Sequence, residues 1–265
     1  MKTSENEKWV RVALEEGRRG IGLTAPNPPV GAVVVKDGIE IARGWHHKAG
    51  SLHAEKDALS KLRGDEARGA TIYVTLEPCS THGRTGACTE ALISAGVAKV
   101  VYGACDPNPS HGGGADKILE TAGIKVVAGV LEGVCEELIR GFSMVQKQGR
   151  PWLIAKTAMS LDGRITRPEE EGQWLSGPAS REEVQQLRFE VDAILTSGET
   201  IRRDNPALTL RGPKISSEKT QPWRVVMTHQ GVNQKGFQIF EDEWKERTLT
   251  FQNRSKYEVL RKLSE

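Results

Sequence analysis

The sequence contains few cysteines, almost no net charge and no long apolar run. Its 4 cysteines among 265 residues are too few for a disulfide framework, which favours a reducing compartment. The 37 Lys and Arg residues nearly balance 35 Asp and Glu residues, so the net charge of +2 gives no reason to expect a nucleic-acid partner. The polar segment 1–8 and the lack of any run of about 18 apolar residues predict neither a signal peptide nor a membrane span. We therefore expect a cytoplasmic protein.

The chain is long enough for two domains. At 265 residues and 37% hydrophobic content, it can fill a core in each of about two domains. Strand and helix patterns alternate through the first half, and residues 148–151 (Gln-Gly-Arg-Pro) have the composition of a short linker. Such alternation is typical of a three-layer α/β domain. We predict an α/β protein with a first domain at 1–147 and a second at 151–265.

Apolar periodicity and turn residues place the individual elements. A capping box at Ser4 begins a helix that runs to Gly17 or Gly20. After residue 228 the sequence is polar, and we expect helix there without a further strong strand. The remaining predicted helices are 53–63, 88–95, 115–122, 132–146 and 179–190, a turn is predicted at 160–163, and the predicted strands are 30–35, 39–45, 71–76, 97–103, 124–130, 152–159, 193–197 and 222–228.

The stretch 53–88 contains the side chains that point to chemistry. His53 and Glu55 stand one residue apart, a Pro-Cys pair ends at Cys79, and Cys88 follows. One imidazole and two thiolates can ligate a tetrahedral zinc and leave a fourth position for water, as a catalytic site requires. Glu55 is then suited to carry protons. His-x-Glu followed by Pro-Cys-x-x-Cys is the signature of zinc nucleobase deaminases, although the second gap here is Cys-x8-Cys.

Each part of this pattern also has an ordinary structural explanation. A lone His-x-Glu at the start of a helix is usually a solvated surface pair. A structural zinc would have four Cys or His ligands, often as paired Cys-x2-Cys units, and no fourth candidate lies at close spacing in the sequence. The pattern therefore favours the catalytic interpretation.

The positions of these side chains can also be predicted. Pro78 suits the first turn of a helix, so we place Cys79 at a helix N-terminus, where backbone N–H groups favour the thiolate. In α/β sheets, sites lie in the loops outside the carboxyl ends of the strands. His46, Cys79 and Asp106 are all expected in such loops.

The first domain resembles the cytidine deaminase superfamily, and in particular the deaminase half of the bifunctional deaminase/reductase family of riboflavin biosynthesis. The resemblance covers residues 9–142. It is carried by Thr-Ala-Pro-Asn-Pro-Pro-Val-Gly at 24–31, Gly-Trp-His at 44–46, His-Ala-Glu at 53–55, Tyr-Val-Thr-Leu-Glu-Pro-Cys at 73–79, Gly-Arg-Thr at 83–85, Cys88, and Asp-Pro-Asn-Pro at 106–109.

The resemblance implies roles for particular residues of this sequence. It implies zinc ligation by His53, Cys79 and Cys88, with Glu55 as the catalytic residue. The sequence departs from the family at Thr81, where histidine is usual, and at 86–87, where Gly-Ala replaces the usual Pro-Pro. At 113–115 it has Gly-Gly-Ala, where the family usually has Gly-x-Gly with a basic middle residue. These departures concern the substrate pocket rather than the metal. The implied substrate contacts are Asn27, His46, Arg84, Asp106 and Asn108.

The second domain resembles the front part of the family's reductase, which has a dihydrofolate-reductase-like fold. The likeness is carried by Lys-Thr-Ala-Met-Ser-Leu-Asp-Gly at 156–163, Gln-Trp at 173–174 and Asp-Asn-Pro-Ala-Leu-Thr-Leu-Arg at 204–211. One substrate position that is usually serine is Gly172. The resemblance implies NADP contacts at Ala158, Trp174, Thr200 and Asp204, and substrate contacts at Arg188, Leu208 and Arg211.

The family's reductase continues with a glycine-rich cofactor loop that contains a Glu, followed by further strands. Residues 212–265 contain no such loop. We therefore expect deaminase activity with little or no NADPH-dependent reduction. We also expect the second domain to be partly disordered or sheltered by a partner subunit in a homo-oligomer, since an uncovered sheet edge invites association.

The resemblance implies a small-molecule pyrimidine phosphate as the substrate. It would be 2,5-diamino-6-(5-phosphoribosylamino)pyrimidin-4(3H)-one. A deaminase that binds Zn²⁺ would replace its ring 2-amino group with a carbonyl, and NADPH would then reduce the ribosyl group to ribityl. One alternative is a nucleoside or nucleic-acid deaminase, against which the near-zero charge and the Cys-x8-Cys spacing weigh. The other is a non-catalytic zinc scaffold protein, against which the intact Glu55 weighs.

Overall fold

The computed structural model describes residues 4–81, 86–109, 113–165, 174–212 and 219–253. The chain divides into two compact units, and the division falls between Trp152 and Leu153. Arg84 and Gly172, which the sequence singles out, lie outside the described residues. Within the described ranges, no helix is long and apolar enough to cross a membrane.

Helices and strands alternate in the first unit. Its first helix begins after Ser4, whose side-chain oxygen accepts a hydrogen bond from the Glu7 N–H at 3.2 Å. The predicted N-cap is thereby confirmed. The helices are α1 Glu5–Arg18, α2 Ala54–Leu59, α3 Cys88–Ser94, α4 Ala115–Thr121, α5 Glu132–Leu138 and α6 Arg140–Gln148, and the strands are β1 Gly31–Lys36, β2 Ile39–Trp45, β3 Thr71–Leu76, β4 Lys99–Ala104 and β5 Lys125–Val127.

The strands of the first unit form one sheet in the order β2-β1-β3-β4-β5. β1 is antiparallel to both β2 and β3, whereas β3, β4 and β5 are mutually parallel. β2 therefore runs in the same direction as β3, β4 and β5, and the carboxyl ends of these four strands lie at one edge of the sheet. His46, Cys79 and Asp106 follow β2, β3 and β4 at this edge, as the sequence predicts.

Both faces of this sheet are buried. In β1, Ala32 and Val34 pack into an apolar cluster with residues of α2, α3 and α4. Val33 and Val35 pack into a second cluster with residues of α1 and α5. Successive residues of a strand point to opposite faces, so a strand buried on both sides reads as a continuous apolar run. Helices thus cover both faces, and the predicted three-layer arrangement is confirmed.

The second unit is built on a parallel sheet in the order β6-β7-β8. Ile201, Val226 and Ile239 are fully buried and form its apolar core. Next to this core, the side chain of Arg224 is 1% exposed and forms an ion pair with Asp242. The strands are β6 Ala193–Ser197, β7 Trp223–Thr228 and β8 Thr248–Gln252, and the helices are α7 Pro178–Glu190, α8 Gly198–Asp204 and α9 Gln238–Glu241, with a 3-10 turn at Lys245–Arg247.

Two predictions for residues 152–253 are wrong. Residues 152–159 form no strand, because a strand needs a neighbour for its backbone N–H and C=O groups and this segment pairs with no strand among the described residues. Leu153 and Met159 are each 56% exposed. In contrast, β8 lies in the region predicted to be polar and helical. Its five residues become a strand because they pair along the length of the buried β7.

A third difference concerns the predicted helix 132–146. The structure contains two helices here, α5 and α6, which are separated at Ile139 with φ −103° and ψ 13°. The side chain of Ile139 is buried in the core beneath α1 and α5. Because the apolar pattern continues through this residue, the sequence gives no sign of the break.

Candidate metal centre

Three side chains with metal-binding atoms converge at the carboxyl edge of the first sheet. His53 immediately precedes α2, Cys79 follows β3, and Cys88 is the first residue of α3. His53 Nδ1 lies 3.5 Å from Cys79 Sγ and 3.3 Å from Cys88 Sγ. The three ligand atoms all lie within 4.8 Å of one another. The structure therefore brings the predicted ligand set together.

The chemistry and spacing of these atoms fit a zinc ion. In tetrahedral coordination, Zn–S bonds of about 2.3 Å and Zn–N bonds of about 2.0 Å place nitrogen and sulfur ligands roughly 3.5 Å apart. The observed N···S distances of 3.3 and 3.5 Å agree with this geometry. The residues present therefore fit this ion.

The environment of Cys79 differs from the prediction. Cys79 does not begin a helix. Instead its Sγ accepts a hydrogen bond from the Cys88 N–H at 3.3 Å, and its carbonyl accepts hydrogen bonds from the N–H groups of Cys88 and Thr89 at 3.0 and 3.2 Å. The start of α3 thus wraps around Cys79. The hydrogen bond from the Cys88 thiol, followed by the one from His53, lowers the pKa of Cys79, whereas the pKa of Cys88 lies well above its ordinary value because it donates to Cys79 and is buried.

Glu55 lies beside the three ligands in the first turn of α2. Glu55 is 3% exposed. Burial, with a further contribution from the negative charge of Cys79, raises the pKa of the Glu55 carboxyl above its ordinary value. A carboxyl that retains a proton more readily than one in water is suited to accept and return protons.

Asn27 and His46 form a hydrogen-bonded pair beside His53. His46 Nδ1 lies 2.9 Å from the Leu52 carbonyl oxygen, and because a carbonyl only accepts, Nδ1 carries the hydrogen. The other ring nitrogen, Nε2, then accepts from the Asn27 amide at 3.0 Å. Burial lowers the pKa of His46, which favours this neutral ring. The pair orients the Asn27 side chain at the rim of the metal centre.

A cavity of about 610 Å³ opens onto the metal centre. Its wall contains Glu55 and all of the predicted substrate contacts of the first unit that lie among the described residues. Sequence reasoning missed Phe142 and Gln146 of α6, which also line it. They are four residues apart and share a helix face, but only the fold shows that this face meets the cavity. The lining includes Asn27, His46, His53, Glu55, Glu77, Cys79, Thr81, Gly86, Asp106, Asn108, Phe142 and Gln146.

Known families match both units. Residues 3–104 match the cytidine and deoxycytidylate deaminase zinc-binding region, and residues 151–264 match the RibD C-terminal domain. The riboflavin biosynthesis protein RibD of Corynebacterium ammoniagenes is 41% identical over 232 residues, which cover 87% of this chain and 68% of that protein. RibD of Escherichia coli is 46% identical over 217 residues, which cover 82% of this chain and 59% of that protein. The chain belongs to the RibD family.

Solved structures of RibD proteins have the same fold. The structure of Acinetobacter baumannii RibD aligns with a TM-score of 0.88 at 37% identity, covering 98% of this chain and 77% of that one. A diaminohydroxyphosphoribosylaminopyrimidine deaminase/5-amino-6-(5-phosphoribosylamino)uracil reductase from Thermotoga maritima aligns with a TM-score of 0.89 at 36% identity, covering 98% and 78%. The predicted fold class is therefore confirmed. The chain spans about three fifths of the length of the first curated RibD relatives it matches, namely 59%.

One departure from the usual RibD pattern has a visible structural counterpart. Gly86 stands where proline is usual, and its φ of +71° is one that the proline ring forbids. Its carbonyl accepts a hydrogen bond from Lys56 Nζ at 3.0 Å. The approach to Cys88 is therefore held by a lysine on α2, which the sequence did not point to.

In the second unit, the predicted RibD reductase residues fall into separate groups. Arg188 Nη1 donates to the Thr209 carbonyl at 2.8 Å, which ties α7 to the segment 208–211. Burial, with the nearby charge of Arg211, lowers the pKa of Arg188. Leu208 lies in the same segment at φ +51°. These three predicted substrate contacts thus come together.

The predicted cofactor residues lie on three segments of the second unit. Thr200 and Asp204 lie near the two ends of α8, and the Thr200 N–H is capped by Ser197 Oγ at 3.2 Å. Ala158 lies in the segment 152–159, which is not a strand, and Trp174 lies beneath the Arg181 guanidinium at 5.3 Å.

Proposed function

We propose that the first unit is a zinc-dependent hydrolytic deaminase of riboflavin biosynthesis. Its substrate is 2,5-diamino-6-(5-phosphoribosylamino)pyrimidin-4(3H)-one, and the reaction replaces the ring 2-amino group with a carbonyl. The observation that carries the proposal is that buried Glu55 lines the same cavity as His53 and Cys79, whose ligand atoms converge with that of Cys88. Membership of the RibD family supports the choice of substrate.

The proposed chemistry divides between the ion and the side chains. When bound by His53, Cys79 and Cys88, zinc supplies activated water at neutral pH by bringing the pKa of water to about 7. Glu55 accepts the two protons of the attacking water one after the other at its carboxylate. It delivers the first to the ring nitrogen and the second to the amino group, which leaves as ammonia while the water oxygen becomes the carbonyl. Its buried position keeps bulk water from competing for those protons.

The remaining polar residues of the cavity orient the substrate. The Asn27 amide, held by His46 at 3.0 Å, can face the edge of the pyrimidine ring. Asp106 and Asn108 offer polar groups from the loop that follows β4. Arg84, outside the described residues, would serve as a charge-assisted donor to the phosphate or to a polar edge of the substrate.

For the second unit, we propose a reductase-like role with NADPH as the cofactor. Arg188, Leu208 and Arg211 would contact the substrate, and the cofactor contacts would be Ala158, Trp174, Thr200 and Asp204. Within the described residues of this unit, no glycine-rich loop follows a strand to hold a dinucleotide phosphate. We therefore expect little NADPH-dependent reduction of the ribosyl group to ribityl by these 265 residues.

One assay separates these proposals. The purified chain is given the diaminopyrimidinone phosphate with and without NADPH, and ammonia release and NADPH oxidation are measured separately. We expect ammonia release that does not depend on NADPH, and little cofactor oxidation. Cytidine, deoxycytidylate and single-stranded DNA serve as comparison substrates. Deamination of one of these alone would indicate a different deaminase, and a zinc-loaded protein that deaminates nothing would indicate a scaffold role.

A further inference from the structure

One buried carboxylate beside the metal centre has no part in the proposed chemistry. Glu77 follows β3, two residues before Cys79, and is 3% exposed. Its Oε2 accepts a hydrogen bond from the Asp106 N–H at 3.2 Å. Its Oε1 accepts from the N–H groups of Gly113 at 2.9 Å and Ala115 at 3.4 Å. The Gly113 N–H also lies 3.1 Å from Oε2.

These donors come from both ends of one loop. Asp106 lies near the start of the connection between β4 and α4, whereas Gly113 and Ala115 lie at its end. Among the described residues, no lysine or arginine forms an ion pair with Glu77. A buried carboxylate needs compensating hydrogen bonds, and here backbone N–H groups supply them. Glu77 therefore holds the two described parts of this connection, 105–109 and 113–114, to a single carboxylate.

The loop carries two residues of the proposed substrate cavity. Asp106 Oδ1 accepts a hydrogen bond from the Asn108 N–H at 2.9 Å, so the position of the Asp106 backbone also sets that of Asn108. The Glu77 N–H donates to the Ala104 carbonyl at 2.8 Å, which anchors Glu77 to the end of β4. The Glu77 side chain thus connects the rigid sheet to both Asp106 and Asn108.

We infer that Glu77 is a positioning residue that holds residues 105–109 and 113–115 so that Asp106 and Asn108 meet the substrate. The inference rests on the proposed function for the identity of that substrate. The part that concerns the loop rests on the hydrogen bonds of Glu77 alone. The two parts can therefore be tested separately.

The substitution Glu77→Gln tests the role of the second oxygen. A glutamine has one acceptor oxygen and one NH₂ group, so it can accept from Asp106 or from Gly113 and Ala115, and its NH₂ group opposes the remaining N–H donors. We expect the KM for the diaminopyrimidinone phosphate to rise about tenfold or more, as for a buried donor left unpaired. We expect a smaller change in kcat and an unchanged zinc content. Glu120→Gln, at an exposed glutamate of α4, is the matched control and should match the wild type.

Two further readouts distinguish positioning from general destabilisation. Hydrogen exchange without substrate should be faster at the backbone amides of residues 105–109 and 113–115 in Glu77→Gln, and unchanged in β3. In an Asp106→Ala/Asn108→Ala background, Glu77→Gln should raise the KM no further, because its effect passes through these two residues. If Glu77→Gln does not fold, Glu77→Asp keeps the carboxylate at a shorter reach and should raise both loop exchange and KM by a smaller factor.

Unchanged loop exchange in Glu77→Gln, or a KM within about twofold of the wild type, would overturn the inference. An equal further rise of the KM in the double-variant background would do the same. A wild-type chain that releases no ammonia would contradict the proposed function instead. Hydrogen exchange would then still decide whether Glu77 holds the loop.

Discussion

His53 Nδ1 lies 3.5 Å from Cys79 Sγ and 3.3 Å from Cys88 Sγ. Both sulfurs are therefore needed to complete the set of three ligands. We expect Cys79→Ser and Cys88→Ser each to lose zinc and deaminase activity together, because a hydroxyl is a poor zinc ligand beside a thiolate. Zinc content measured by mass spectrometry of the digested protein checks this result. Cys105→Ser changes an exposed cysteine outside the cluster and should keep its zinc. Full zinc occupancy in both ligand variants would show that the assignment is wrong.

Glu55 is expected to act on protons and not on the metal. Glu55→Gln should retain zinc while its kcat falls by about 10²- to 10⁴-fold, the usual contribution of a general acid-base group. Parallel measurement of bound zinc and ammonia release separates the two effects. Wild-type turnover in Glu55→Gln would remove this residue from the mechanism.

The sequence predicted the residues whose side-chain types follow a known zinc-binding pattern. His53, Glu55, Cys79 and Cys88 could be named because a zinc deaminase needs these residue types in this order, and the structure brings the three ligand atoms together. The role of Glu77 could not be found in this way, because its hydrogen-bond donors are backbone N–H groups, which every residue except proline has. Such contacts depend on how the strands align in the sheet.

The helix that carries Glu55 can approach β2 closely because Gly44 has no side chain. A Cβ at this position would lie 2.3 Å from both the Ala54 carbonyl oxygen and the Ala58 nitrogen, which are backbone atoms of α2. Gly44→Ala must therefore push α2 away from the sheet. We expect the free energy of unfolding of the first unit to fall by about 1–3 kcal/mol, as in other overpacked cores.

Urea unfolding with zinc present checks this prediction. Gly133→Ala is the matched control, since a Cβ at this position in α5 meets nothing within 4 Å and alanine favours a helix by about 0.5–1 kcal/mol over glycine. The control should be as stable as the wild type or slightly more so. Equal stability of Gly44→Ala and the control would contradict the close packing of α2 on β2.

In the second unit, a buried ion pair connects β7 to the segment after α9. The guanidinium of Arg224 donates to both carboxylate oxygens of Asp242, at 2.5 and 2.8 Å, and to the carbonyls of Ala207 and Ile239. Asp242→Ala leaves the charge of Arg224 buried without its partner. We expect a loss of about 3–5 kcal/mol in the stability of this unit.

The same pair makes stability depend on pH. The hydrogen bond from Arg224 lowers the pKa of Asp242, so its contribution is complete above the ordinary aspartate pKa of about 3.9 and is lost as the pH falls through the lower, folded value. Thermal unfolding of Asp242→Ala across this pH range measures the contribution of Asp242 to stability. Glu243→Ala, at a neighbouring exposed residue, is the control. Equal unfolding temperatures for both variants would show that the pair adds nothing.

Strands were predictable where a short apolar or β-branched run stands between turn residues. The bounds of β3 at Thr71–Leu76 and β6 at Ala193–Ser197 agree with the prediction, because both are short apolar or β-branched runs between turn residues. The segment 152–159 has a similar composition but pairs with no strand among the described residues. β8 is weakly apolar and becomes a strand through its pairing with β7. Whether a neighbouring strand is present to pair with therefore decided the structure of 152–159 and of β8, and a single sequence does not show this.

The two units have separate apolar cores, and the proposed deamination needs only the first of them. The cavity, the three ligand atoms and Glu55 all belong to this unit. The chemistry should accordingly respond to zinc and not to NADPH. Removal of zinc should destabilise the first unit, since an ion bound only in the folded state adds its binding free energy to stability.

A zinc titration of the metal-free chain tests this account most directly. Zinc is added stepwise to chelator-treated protein in the presence of the diaminopyrimidinone phosphate, and ammonia release is followed without NADPH. We predict that the rate rises in proportion to added zinc and reaches a plateau near about one zinc per chain, as expected for a single three-ligand site. Full ammonia release without zinc, or one bound zinc per chain without any ammonia release, would contradict the account.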